Sequence, residues 1–217
     1  MKPQTEVKVK IMAKIIVLDT ETLGLYDQRV YDLGYIVYDK QTGEVLKERD
    51  YIIKQVYDNP ELMQTAYYGN KRPLYEKEIA DGNAKKVWWG YACRVLLNDM
   101  IKYGVEPDGV FAYNSRFDFN SILKTCDRYN AKINPTEKGI TDIMNFIKVI
   151  TETDEYKNFC QANGYLTKHK VPRCQQKAET LYRYLKNETD FIEDHMALSD
   201  SRIELEILLK CLELLNE

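Results

Sequence analysis

The alternation of apolar and polar positions opens with three strands. "KIIVLDTETLGL" begins as a β-branched apolar run and ends at Gly24, the pattern of a buried strand leaving a sheet. "RVYDLGYIVYD" and "VLKERDYII" follow, and Gly43 in the short turn between them predicts an antiparallel hairpin. Residues 55–86 read as a connection containing Pro, Gly and Tyr, with some helical pieces. In "KVWWGYACRVLLNDMIKYG" the spacing of Val87, Tyr91, Val95 and Leu96 predicts a crossover helix closed by Gly104, with Trp88 and Trp89 as packing residues. "GVFAY" predicts a buried strand, and Asn114 and Ser115 predict the caps of a helix through "RFDFNSILKTCDRY". A short strand at "GITDI" and helices over 144–163 and 175–187 come next. The last predicted helix covers 197–215, with Ile203, Ile207, Leu208, Cys211, Leu212 and Leu215 on one stripe.

The order β-β-β-α-β-α predicts an α/β fold, a mixed sheet flanked by helices. At 217 residues the chain is the size of a single domain. The strand signal starting at Ile15 makes residues 1–12 a flexible N-terminal extension to a core over about 15–215.

Composition narrows the function classes. Five scattered cysteines, never spaced as C-x-x-C, suggest neither a disulfide framework nor a zinc knuckle, and a reducing cytoplasmic setting is the simplest. No run approaches the roughly 18 apolar residues of a membrane span, so no membrane partner is expected. The formal charge of −3 argues against binding nucleic acid through a general positive field. It leaves room for a nuclease, because two divalent cations held by four carboxylates would make the sum positive.

The candidate chemistry is acidic. Asp19 and Glu21 lie two apart at the end of the first strand, so both side chains point to one side while Thr20 points away. Such a pair can grip one cation, or can be a strand end turning into solvent. Asp118 falls near the start of the helix after "GVFAY", where an acid suits the helix dipole and where open α/β sheets place ligands. His195, one of two histidines, precedes Asp200 by five positions at the start of the last helix; a lone histidine there is either a capping residue or a functional one.

Taken in order, "VLDTETLG", "AYNSRFDFNSIL" and "HMALSD" resemble the three motifs of the DEDDh, or DnaQ-like, exonuclease family, over about residues 15–210. Met196 stands where the sister group carrying tyrosine would have it, and His195 supplies the DEDDh pattern. The resemblance implies a ribonuclease H-like fold and removal of nucleotides from 3′ ends; the expected substrate is single-stranded or frayed nucleic acid, with DNA favoured over RNA, a choice that lies outside the motifs. It also implies Asp19, Glu21, Asp118 and Asp200 as ligands of two Mg²⁺, with Mn²⁺ able to substitute. The chemistry agrees: two hard cations can activate water and stabilise both the phosphorus centre and the leaving oxygen. His195, with an ordinary pKa near 6.5, suits a general base. By the same resemblance Thr22, Leu23 and Asn114 contact the terminal nucleotide, Leu23 as an apolar wedge. Core packing for Leu23 and an N-cap for Asn114 are the structural alternatives. A polymerase or replication complex is a compatible partner.

Two further stretches combine rings or cations. "AYYGNKRPLY" (66–75) interleaves tyrosines with Lys71 and Arg72, and residues 168–186 are strongly basic. Either suits a single strand or an ordinary solvated surface. A ribonuclease H-like endonuclease and a non-catalytic binding module are the competing readings.

Overall fold

Strand β1 (Lys14–Thr22) is central because both of its faces are apolar: Ile16 and Leu18 enter one core cluster, Ile15 and Val17 another. The computed structural model describes residues 13–216, so the predicted extension over 1–12 lies outside the described residues. β2 (Val30–Asp39) and β3 (Glu44–Ile53) complete the predicted antiparallel meander, with Gly43 at φ 75° in the hairpin. The six-stranded mixed sheet has the order β4-β3-β2-β1-β5-β6, where β4 is Lys85–Val87, β5 Val110–Ala112 and β6 Thr141–Asp142. β4 pairs parallel to β3, and β5 parallel to both β1 and β6.

Helices cover both faces. Between β3 and β4 the short α1 (Lys54–Tyr57), α2 (Pro60–Met63) and α3 (Arg72–Ala80) bury Tyr57, Met63 and Tyr75 with Tyr31 and Ile52. α4 (Trp89–Tyr103) and α5 (Arg116–Arg128) pack Trp89, Leu96 and Ile122 against Ile16 and Leu18. On the opposite face lie α6 (Lys148–Thr151), α7 (Asp154–Ala162), α8 (Ala178–Lys186) and α9 (Ala197–Leu215), with Ile203, Ile207, Leu208 and Cys211 against Ile15, Val17 and Ile36. Among the described residues no helix is long and apolar enough to cross a membrane.

Several expectations are corrected. Residues 85–87 are an edge strand rather than the start of the crossover helix, which begins at Trp89. The buried face of α4 is Trp89, Ala92, Cys93, Leu96 and Met100, leaving Tyr91 and Trp88 at 43% and 61% exposed. Neither Asn114 nor Ser115 caps α5 through its side chain; Asn114 sits at φ 57° and its N–H donates to Asp142.

One contact sets the position of α9. A Cβ on Gly34 would fall 2.1 Å from the Leu198 nitrogen, so the first turn of α9 lies directly on β2. The Ala197 N–H donates to buried Asp32 at 2.9 Å, and the Ser201 hydroxyl donates to the Gly34 carbonyl at 3.2 Å. Gly34 pairs with Asp19 across the sheet and Asp32 with Glu21. The helix start is therefore locked beside the carboxyl end of β1.

Candidate active site: a carboxylate and histidine cleft

Asp19 and Glu21 share a face of β1 with Ile15 and Val17, the side on which α9 lies. Thr20 turns to the other face, where it meets α5. Its N–H and its hydroxyl both donate to the same oxygen of Asp118, at 3.0 and 2.8 Å. Asp118, 2% exposed in the first turn of α5, is thereby aimed back at the end of β1. Asp200 enters from the first turn of α9, buried, with one carboxylate oxygen that has no hydrogen-bond partner.

These acids line one cleft of about 770 Å³, together with Thr22, Asn114, Glu193, His195 and Glu204. Of the residues predicted for the site, only Leu23 is elsewhere: at 2% exposure it packs with Tyr31, Val56 and Met63, and Leu25 and Tyr67 are exposed apolar residues at the cleft. β1 bends away at the end of its pairing, where the register shifts between Glu21 and Thr22, so strand alternation does not carry past that point.

The electrostatics are those of crowded, desolvated carboxylates. Burial, then the charges of Asp118, Glu204, Asp200 and Glu21, push Asp19 well above the usual carboxylate range. Glu21 is raised by burial and by Asp32. Asp200 is pushed up to about 10 by burial, then by Glu193 and Glu21. Asp118 rises only to about 7, because the Thr20 hydrogen bonds oppose the effect of burial. Neutralising such a cluster takes either protons or cations.

His195 occupies the left-handed region at φ 53°, unusual for a residue with a side chain. Its Nδ1 lies 3.8 Å from Asp200 Oδ2 and 3.7 Å from Glu193 Oε2, beyond hydrogen-bond distance. The ring is instead stacked on Tyr68, centroids 4.2 Å apart and planes 16° from parallel. Lys71 sits 5.0 Å over the far ring of that stack and donates to the Asp194 carbonyl, while the Tyr75 hydroxyl donates to the His195 carbonyl at 3.4 Å. Burial and Lys71 together lower the His195 pKa.

Glu21, His195 and Asp200 each offer a ligand atom, all within 4.8 Å of one another, and this group can hold a metal ion. Oxygen donors dominate the cleft, Asp200, which carries the unpaired oxygen, belongs to the group, and hard divalent cations are what such donors take. The residues therefore fit a divalent cation.

Sequence reasoning missed several contributors, Glu193 among them. Glu204, 4% exposed, lies one helical turn beyond Asp200 and accepts from the Tyr113 N–H at 3.1 Å; an acid interrupting the apolar stripe of α9 was its signal. Strand alternation turns Thr20 away from the acidic pair and gives no sign of its bonds to Asp118. Tyr68 belongs to "AYYGNKRPLY", and its contact with a histidine 127 positions later has no local signal. No family model and no curated protein sequence matches this chain.

Proposed function

We propose that the protein is a metal-dependent 3′-to-5′ exonuclease of the DEDDh type, with a ribonuclease H-like arrangement of its sheet. The observation that carries this reading is the convergence of Asp19, Glu21, Asp118, Asp200 and His195, from three distant segments, on one cleft at the carboxyl end of β1. The strand order β3-β2-β1-β5-β6 within the larger sheet, with β2 antiparallel to its neighbours, is compatible with it.

Asp19, Glu21, Asp118 and Asp200 would hold two Mg²⁺, or Mn²⁺ in their place. When bound, these cations supply Lewis-acid stabilisation of the phosphoryl and leaving oxygens and lower the pKa of attacking water. His195 would take the proton from the attacking water, and its lowered pKa favours the neutral, accepting ring. Tyr68 fixes the plane of the ring. Thr20 fixes Asp118. Thr22 and Asn114, which line the cleft, would contact the terminal nucleotide. Single-stranded or frayed 3′ ends are the substrate, DNA in preference to RNA, and association with a polymerase is compatible with this activity.

The grouping of Glu21, His195 and Asp200 favours one variant of the reading, in which His195 is a cation ligand rather than the base. His195→Ala separates the two, since a base leaves cation affinity intact when removed and a ligand does not.

The reading is tested with a 5′-labelled single-stranded DNA and its RNA equivalent, incubated with Mg²⁺, Mn²⁺ or chelator beside Asp19→Ala. A ladder shortening from the 3′ end, dependent on metal and lost in the variant, is the expected result. Uncleaved strand under every metal would sink it.

A further inference from the structure

Between α7 and α8 the chain forms a small finger that the catalytic reading leaves unused. Leu166 and Cys174 make an antiparallel bridge, the Thr167 N–H donates to the Arg173 carbonyl at 2.8 Å, and the Arg173 N–H donates to the Thr167 hydroxyl at 3.0 Å. The tip, residues 168–173, is exposed throughout and carries Lys168, Lys170 and Arg173. No acid occurs between Gly164 and Ala178, in a chain that has more acids than bases overall. Among the described residues none of these three cations lies in an ion pair.

The base of the finger is fastened to the cleft. The Tyr156 hydroxyl donates to the Gln175 carbonyl and the Tyr113 hydroxyl to the Gln176 carbonyl, both at 2.6 Å. Gln176 and Lys177 then form part of the cleft wall. Arg173 is four residues from Lys177, at most about 13 Å of extended chain. The cleft floor is a group of carboxyl groups and offers a polyanion no positive charge of its own in the metal-free protein. Unneutralised cations on a fastened rim supply the attraction. Leu25 and Tyr67, 78% and 80% exposed at the same cleft, offer apolar surface for bases.

We propose that this finger binds the phosphate backbone of a single-stranded nucleic acid whose 3′ end occupies the cleft, with Lys168, Lys170 and Arg173 as the phosphate contacts. The inference rests on the nuclease reading for the identity of the polyanion. Because the tip side chains are exposed, their replacement leaves the packed interior untouched.

The test is the affinity of the full chain for a fluorescein-labelled 12-nucleotide single strand, in chelator, over 50–200 mM salt, for the wild type and for Lys168→Gln/Lys170→Gln/Arg173→Gln. With about 0.7 counterions released per phosphate contact, the triple variant should lower the slope of log affinity against log salt by about 2 and weaken binding at least tenfold at the lowest salt. An unchanged slope overturns the proposal, as does a wild type that does not bind the strand. Loss of binding to anionic phospholipid vesicles, with strand binding unchanged, overturns it in favour of a membrane partner. A reduced slope in a protein that cleaves no 3′ end upholds the finger and removes the exonuclease reading.

Discussion

Two helices present an acid from their first turn to the end of β1, one from each face of the sheet, and the two acids are treated differently. Asp118 on α5 is hydrogen-bonded twice by Thr20 and rises only to about 7. Asp200 on α9 has a buried oxygen with no partner and is pushed up to about 10. The protein holds one acid in place with its own donors and leaves the other unsatisfied among Glu21, Glu193 and His195. A buried polar atom without a partner is costly, and in this cleft a cation is the partner that would relieve it. The α9 side is thus where cation binding should act most strongly on the fold.

The largest expected effect breaks that side outright. Asp200→Asn removes the charge while keeping the shape, and 3′-end hydrolysis should fall by about 10³-fold or more. The same variant should melt at least as high as the wild type in chelator, and Mn²⁺ should no longer raise its melting temperature. His195→Ala should reduce turnover by roughly 10²–10⁴ with cation affinity largely retained, measured by single-turnover kinetics beside calorimetry.

Gly34→Ala tests whether the placement of α9 depends on contact with β2. A methyl group has no room against the Leu198 backbone, so denaturant unfolding should show a loss of about 3 kcal/mol or more. Thr20→Val sharpens the other side: the hydroxyl bond goes and the backbone bond to Asp118 stays, for a loss of about 1–2 kcal/mol. Smaller again is Tyr68→Ala. Losing the stacked ring should lower turnover about fivefold, in line with roughly 1 kcal/mol for an aromatic pair, while Tyr68→Phe keeps the wild-type rate.

The pH dependence has a definite sign. In the metal-free fold Asp118 and Asp200 keep their protons to about 7 and about 10, whereas an unfolded aspartate loses its proton near ~3.9. Between those values the native state binds more protons, so stability falls as pH rises from about 4 to about 10. Melts in chelator at pH 5, 7 and 9 should show that decline, and Asp200→Asn should flatten it.

Much of this arrangement was legible in the chain because it follows from local periodicity. The β1–β3 meander, the Gly43 hairpin and the limits of α9 come from alternation and from a helical stripe, and period 2 alone put Asp19 and Glu21 on one face. β4, three residues long, gave too short a signal against the helical pattern that follows it. Leu23 looked available to a ligand because it follows the acidic pair, but the chain turns at Thr22 and carries it into the core. The hold of Thr20 on Asp118 and of Tyr68 on His195 spans 98 and 127 positions, distances over which only the folded sheet makes neighbours.

The central claim, that Asp200 holds a proton for want of a cation and exchanges one for the other, is tested most directly by titrating Mn²⁺ into the wild-type protein at pH 7.5 in two buffers of different ionisation enthalpy. The account predicts saturable binding with release of protons, both lost in Asp200→Asn. Binding without proton release, or equal binding by the variant, would contradict it.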